Sequence, residues 1–367
     1  MSPRIKNSRQ KVVVGMSGGV DSSLAAALLK KQGYGVIGVT FRMWPKDECG
    51  SSAGRACCSL EAITRARAVA EDIGIPYYVV DFSDHFKKEV IDYFCAEYLR
   101  GRTPNPCVVC NEKIKFGKLL ERASSLGASL VATGHYARTG RDARSGRSLL
   151  KEGRDRSKDQ SYFLFRLSRE QLEHAIFPLG DLTKEKVRAL AKRMGLKTYN
   201  TASSQDICFV QDLDYAEYIS RKTGVEIRSG EIVDARGTVL GRHKGIPFYT
   251  IGQRRRLGVA YSKPLYVTAI DIGRNRVVVG TRDDVLKKSL IADGVHWIAV
   301  DGITKPKRVM AKIRYNTKKA KATVSMARAG TVRVDFDEPQ AAPTPGQAVV
   351  FYDKDIVLGG GWIREAV

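Results

Sequence analysis

Long apolar runs are missing from this chain. None of its hydrophobic stretches approaches the ~20 residues that a bilayer-spanning helix needs. The basic opening "MSPRIKNSRQK" leads into no apolar core of the kind that marks a secretory leader. Acidic residues are scarce: 39 Asp+Glu stand against 62 Lys+Arg, a formal net charge of +23. Cysteines are few and odd in number, seven in 367 residues (Cys49, Cys57, Cys58, Cys95, Cys107, Cys110 and Cys208). That excludes a disulfide framework and points to a cytoplasmic, reducing location, where a cysteine serves as catalyst, metal ligand or core filler. No second C-x-x-C and no paired histidines complete a tetrahedral zinc site.

The basic excess is distributed through the whole chain and not confined to a tail. A small neutral substrate has no use for it, whereas a polyanion does, and nucleic acid is the leading candidate. The plainer alternatives are charge for solubility or contact with anionic lipid.

The first half alternates strand and helix patterns. Val12–Val14 reads as a buried strand and Ser22–Gln32 as a helix ended by Gly33. "GVIGVTF", "YYVVDF" and "SLVATGHY" read as further strands. "SLEAITRARAVAEDIG" reads as a helix capped by Ser59, with Leu60, Ile63, Ala66, Ala70 and Ile73 on one inward face. Strands spaced by helices imply a doubly wound parallel sheet, α/β in class, whose ligands bind at the carboxyl ends of the strands. From Ser229 onward turns become frequent. "GEIVDARGTVLG" and the pair "LYVTAIDI"/"RVVVG" around Gly273-Arg274-Asn275 read as hairpins, and four more short strands suggest an all-β barrel. The expected organisation is a catalytic domain over residues 1–210, a small central domain over 211–275 and a C-terminal β-barrel over 276–367. "DARSGRS", residues 142–148, reads as an exposed loop.

"VVVGMSGGVDSS" joins the first strand to the first helix. Glycines let a backbone approach a ligand closely, and successive N–H groups with a helix N-terminus then face an anion. Ser17, Ser22 and Ser23 add hydroxyls. No lysine lies in the loop and Gly-x-x-x-x-Gly-Lys-Ser/Thr is absent, so it is not the mononucleotide loop of kinases and GTPases, and the Gly-x-Gly-x-x-Gly dinucleotide pattern is absent too. An ordinary serine-capped turn explains two glycines but not the whole run. The run resembles the pyrophosphate loop (PP-loop) of the ATP pyrophosphatases, which is adenine nucleotide α-hydrolase-like in fold. The resemblance implies that the loop holds the β,γ-phosphates of ATP, with Mg2+ near Asp21.

"TPNPCVVCNEKIKF" carries Cys107 and Cys110 as C-x-x-C. Taken alone it is half a zinc site, a redox dithiol or a turn presenting one thiolate, whose pKa Lys113 and Lys115 would lower. Cys208, between Ile207 and Phe209, reads locally as a buried small hydrophobe, although the polar "SSQD" before it suggests a loop edge. The other four cysteines read as structural.

Seven motifs, "GMSGGVDSS", "TPNPCVVCNEKIKF", "ATGHYAR", "KDQSYFL", "SSQDICFV", "YTIGQRRRLGV" and "KIRYN", occur in this order. Together they resemble the bacterial tRNA-specific 2-thiouridylases over nearly the full chain. The resemblance implies ATP contacts at Gly15, Met16, Ser17, Gly18, Gly19, Val20, Asp21, Ser22, Phe41 and Gly134. It implies contacts to a flipped wobble uridine at Asn105, Pro106 and Cys107, and to the tRNA anticodon arm at Lys158, Asp159, Gln160, Arg314 and Tyr315. It implies catalysis by Cys208, as a persulfide loaded from a sulfur-relay protein or cysteine desulfurase, and by Cys110, which frees the sulfur and closes a transient disulfide. Some members carry aspartate where this chain has Cys107. That leaves a second version open, in which Cys107, Cys110 and Cys208 hold a [4Fe–4S] cluster. Arg254, Arg255 and Arg256 read as a solvated loop or as an RNA contact, and flanking glycines favour the contact. Rival readings are another PP-loop pyrophosphatase, such as a 4-thiouridine or lysidine synthase, and a non-catalytic RNA-binding protein.

Overall fold

The structure, a computed structural model, describes residues 10–43, 60–201, 207–210, 214–328 and 330–367. Ser59, Cys49, Cys57 and Cys58 lie outside the described residues. The chain divides into two compact units. One holds Met1–Val90, Cys107–Gln211 and Asp355–Val357; the other holds Ile91–Pro106, Asp212–Lys354 and Leu358–Val367.

The first unit is built on a parallel sheet of β1 (Lys11–Gly15), β2 (Gly35–Arg42), β3 (Tyr77–Asp81), β4 (Leu130–Ala132) and a two-residue strand identified below as β7. A hairpin of β5 (Ala137–Arg141) and β6 (Ser148–Glu152) precedes β7 (Ala175–Ile176), and the turn between its strands is the expected "DARSGRS" loop. The sheet order is β3-β2-β1-β4-β7, all parallel. β1 is apolar and fully buried over Val12–Val14 because helices cover both faces. Helix α1 (Val20–Lys31) follows β1 and ends at Gly33, whose φ of +88° only glycine adopts cheaply. Its Leu24, Ala25, Ala26 and Leu29 share one core with β1 and with Val187 and Ala191 of helix Lys184–Arg193.

Helix α2 (Leu60–Asp72) departs from the expected face. Leu60 is 77% exposed, while Ala62, Ala66, Val69 and Ala70 are buried. The small side chains bring α2 close to the loop after β1: a Cβ on Gly18 would stand 2.3 Å from the Ala62 carbonyl oxygen. A leucine on that face would hold the two apart.

In the second unit, β8 (Gly230–Val233) and β9 (Val239–His243) form the expected first hairpin, and β10 (Tyr266–Asp271) and β11 (Arg276–Gly280) the second. Asn275 takes the left-handed conformation (φ +49°) that its turn requires. β11 pairs in parallel with β8, giving a four-stranded sheet ordered β10-β11-β8-β9. Residues 276–280 therefore stay with the central sheet. The rest is a closed barrel of β12 (Leu286–Trp297), β13 (Lys307–Lys312), β14 (Ala320–Met326), β15 (Val332–Ala341), β16 (Ala348–Asp353) and β17 (Ile356–Ala366). The order is β12-β15-β14-β13-β16-β17, and β17 returns to pair with β12. At that seam Gly361 lies so close to β12 that a Cβ would stand 2.8 Å from the Asp293 carbonyl oxygen. The barrel core is apolar, with Leu290, Val324, Val334 and Phe351 fully buried. Among the described residues no helix is long and apolar enough to cross a membrane.

Candidate functional site

The parallel sheet changes winding direction between β1 and β4, the place where open α/β sheets hold ligands. The loop after β1 and the start of α1 lie there. α1 begins directly after Gly18-Gly19, so its first-turn N–H groups have no acceptor within the helix. Gly18 has φ +71°, a conformation that turns the chain from strand into helix. The Ser17 N–H donates to Ser22 Oγ at 3.1 Å, the two hydroxyls lie 3.3 Å apart, and the Ser22 and Ser23 hydroxyls donate to the Gly19 carbonyl. The loop is thus braced by its own serines around free amide geometry, an arrangement that fits a phosphate group.

Gly134, after β4, meets this loop from the other side. A Cβ there would stand 2.7 Å from both Asp21 C and Ser22 N, so only glycine lets the β4 loop abut the start of α1. The Phe41 ring, near the end of β2, lies 3.4 Å from the position of a Cβ on Gly15 and tilts against Phe82. Gly15–Ser22, Phe41 and Gly134 therefore converge on one region of the first unit.

Asp21 is the carboxylate of this region. Both its oxygens lie 2.7 Å from Lys184 Nζ, and Oδ1 also accepts from the Tyr136 hydroxyl at 2.7 Å. Burial, with the Asp21 charge beside it, pushes the Tyr136 phenol far above its ordinary range, so it remains a proton donor. Neither partner was evident in the sequence. Tyr136 sits inside the quoted "TGHYAR" but carries no local signal, and Lys184 is 163 residues from Asp21.

Cys107 is exposed in helix Pro106–Val109, and Cys110 is buried at the start of a wide, π-type helical segment, Cys110–Lys118. Such widened turns are frequent at functional sites. Glu112 there receives Arg166 at 2.8 Å and lies 3.4 Å from Lys113 Nζ. Cys208 is half-buried. Its neighbour Phe209 packs edge-on against Phe86 at 5.8 Å, and helix Ser83–Phe86 in turn packs on segment Cys110–Lys118. The two cysteine-bearing segments thus share one supporting helix. Among the described residues, which include Cys107, Cys110 and Cys208, no group of three or more His, Cys, Asp or Glu side chains is arranged to hold a metal ion.

The implied RNA contacts divide by exposure. Lys158 is exposed. Asp159 is 4% exposed, and its carboxylate accepts from the Gly153 and Ser161 amides and the Ser161 hydroxyl. Burial raises its pKa above the ordinary carboxylate range. Gln160 Oε1 accepts from the Tyr136 amide, and the Gln160 amide donates to the Tyr136 carbonyl. In the second unit, Asn105 and Pro106 are buried. The segment before them is fixed by Gln347 Nε2 donating to the Thr103 and Pro104 carbonyls. Arg314 Nη2 donates to the carbonyls of Ile251 (2.8 Å) and Ala342 (3.0 Å) and to the Thr344 hydroxyl. Tyr315 lies under Lys312 Nζ, 5.2 Å from the ring centre. Arg254, Arg255 and Arg256 are exposed.

Comparison with known proteins adds to this geometry. Residues 10–212 match the family model described as a tRNA methyl transferase HUP domain, 216–281 the tRNA methyl transferase PRC-barrel domain, and 287–363 the aminomethyltransferase β-barrel domain. The tRNA-specific 2-thiouridylase MnmA of Clostridioides difficile is 50% identical over 98% of this chain and 99% of its own length. The tRNA-specific 2-thiouridylase MnmA 2 of Caldanaerobacter subterraneus is 54% identical over 99% of each. A 4-thiouridine synthetase–RNA complex with bound ATP aligns with TM-score 0.35 and 17% identity, over 59% of this chain and 50% of that one, too weak a likeness to carry an argument. Identity at this level along the whole chain, with the glycine loop and the cysteine motifs in place, makes the chain a member of the tRNA-specific 2-thiouridylase family.

Proposed function

We propose that this chain is an ATP-dependent tRNA-uridine 2-sulfurtransferase. The observation that carries the reading is the serine-braced glycine loop at the sheet's switch point, closed by Gly134, in a chain that also presents Cys110 and Cys208 on segments sharing one supporting helix. ATP contacts fall to Gly15–Ser22, Phe41 and Gly134. The loop's amides and hydroxyls hold the departing pyrophosphate; a Mg2+ ion, for which Asp21 is the carboxylate beside the loop, would offset its negative charge.

The O2 of the wobble uridine attacks the α-phosphorus of ATP; the bond to the β-phosphate oxygen breaks and pyrophosphate leaves. C2 now carries AMP as leaving group. Cys208 holds a persulfide delivered by a sulfur-relay protein or cysteine desulfurase. The Cys110 thiolate attacks the inner sulfur of that persulfide, a Cys110–Cys208 disulfide forms and hydrosulfide is released. Hydrosulfide adds at C2 and AMP departs, leaving the 2-thio group. An external thiol reduces the disulfide for the next cycle. Asn105, Pro106 and Cys107 receive the extruded base. Lys158, Tyr315 and the Arg254–Arg256 run contact the anticodon arm, while Asp159, Gln160 and Arg314, whose polar groups are engaged inside the protein, hold those contacts in position. The alternative, in which Cys107, Cys110 and Cys208 hold a [4Fe–4S] cluster that carries the sulfide, is the version the test below separates from this one.

The test combines the purified chain with unmodified tRNA, ATP and a persulfide donor. AMP, pyrophosphate and 2-thiouridine should appear in equal amounts by nucleotide assay and nucleoside mass spectrometry. Cys110→Ser and Cys208→Ser should each abolish 2-thiouridine while leaving ATP affinity unchanged. Wild-type thiolation by either variant overturns the role given to that cysteine. Visible absorption of anaerobically purified, active protein would overturn the persulfide route in favour of the cluster.

A further inference from the structure

We propose that Lys184 is the phosphate-binding cation of the glycine loop, held ready on Asp21 until a nucleotide arrives. This rests on the reading of that loop as a pyrophosphate cradle and extends it. Residues 15–23 contain neither lysine nor arginine, although the ligand they would receive carries several negative charges. The positive charge comes from elsewhere in the fold. Lys184 Nζ sits 2.7 Å from both oxygens of Asp21, the acidic residue in the first turn of α1.

Helix electrostatics give no reason for a lysine at this place. Lys184 is the first residue of helix Lys184–Arg193, where the peptide dipoles present their positive end and a cation is disfavoured. The position is nevertheless built with care. Thr183 caps the helix through the Lys186 amide, and the Lys184 amide donates to Asp155 Oδ2 at 3.0 Å. Asp155 is itself fixed by the Ser157 amide and hydroxyl. Tyr136 closes the arrangement: its hydroxyl holds Asp21 Oδ1, and its ring centre lies 5.7 Å from Lys184 Nζ. The lysine side chain is 14% exposed and Asp21 31%.

Two helix N-termini and the Lys184 ammonium converge there, with the Asp21 and Asp155 carboxylates as counter-charges beside them. Lys184 Nζ meets the two Asp21 oxygens through two equal contacts, and a phosphate would offer the same ammonium a similar pair of oxygens. An ammonium has three donors on a flexible stem, so Lys184 swings to a phosphoryl oxygen while keeping one bond to Asp21, or releases Asp21 altogether. The competing explanation is that Lys184 only neutralises Asp21.

Calorimetric titration of the full chain with inorganic pyrophosphate, without Mg2+, separates the two. Lys184→Met should weaken binding at least about tenfold, the loss expected for one charge-assisted hydrogen bond, and Lys184→Arg should recover part of it. The double variant Lys184→Met/Asp21→Asn should remain weak, because the phosphate still lacks its cation. Wild-type affinity in Lys184→Met, or restored affinity in the double variant, overturns the proposal and leaves the lysine a mere counter-ion. If Lys184→Met does not fold, Lys184→Gln, which keeps a donor for Asp21, replaces it in the same comparison. A wild-type chain that binds no pyrophosphate brings down the cradle reading itself, and the lysine's role with it.

Discussion

His135 shows how a residue inside a functional motif serves the fold. It is buried, with Nδ1 2.7 Å from the Thr133 hydroxyl and the rings of Phe116 and Phe177 packed around it. Burial first, and the Lys115 charge second, hold its pKa well below the ordinary histidine value. The unfolded chain takes up a proton near pH 6.5 and the folded chain does not. The folded state therefore carries no penalty from this group above about pH 6.5, and loses up to ~1.4 kcal/mol for each pH unit below it until the folded pKa is reached. Urea midpoints at pH 7.5 and 5.5 should fall further in the wild type than in His135→Asn, and parallel falls would show that the ring titrates freely. Gly18 and Gly134 are legible at this same scale. Their places in the motif announce a tight loop, and the clashes awaiting a Cβ explain why the loop admits nothing larger. Lys184 was not legible, because nothing within a few residues of it refers to Asp21. Only the packing of its helix against α1 brings the charges together.

Among the elements, hairpins were read well where a turn residue marks them. Gly237 (φ +87°) turns β8 into β9, and Asn275 turns β10 into β11. The two-residue β7 was invisible, since a run that short has no period. β12 and β17 were also missed. Both are long, irregular in register where they pair, and β17 passes through Gly359-Gly360-Gly361, which reads as a loop. Closure of the barrel depends on those glycines admitting the facing backbone, a fact of pairing and not of local propensity. Arg314 belongs to this scale. It ties the Ile251 carbonyl to the 342–344 turn of the barrel. Arg314→Ala removes three hydrogen bonds, although the Ala342 carbonyl keeps the Thr344 hydroxyl, and should destabilise the chain by about 2 kcal/mol, with tRNA affinity falling because the Arg254–Arg256 loop loosens. Thermal unfolding alongside tRNA binding checks this. Weakened RNA binding at an unchanged melting temperature would make Arg314 a direct contact instead.

For the whole molecule, charge was the most informative bulk property. A net +23 on 367 residues is in keeping with a phosphate-rich partner. If about six phosphates of a tRNA are neutralised, the logarithm of the association constant should fall against the logarithm of salt concentration with a slope of about −4 to −5. Filter binding from 50 to 300 mM salt measures it, and a slope shallower than about −2 would mean that the basic surface serves solubility. The chain's organisation includes two crossings that no local pattern marks: Ile91–Pro106 folds with later residues, and Asp355–Val357 folds with earlier ones.

That last excursion has a practical side. The Glu152 amide donates to the Asp355 carbonyl, Arg138 binds the Asp355 carboxylate, and Ile356 pairs with Lys151. A recombinant fragment that stops after the parallel-sheet half would expose the β5–β6 hairpin as a bare edge, open to strand addition by a second copy. The protein is best handled uncut: Asp355 and Ile356, near its end, cover the edge that β6 presents.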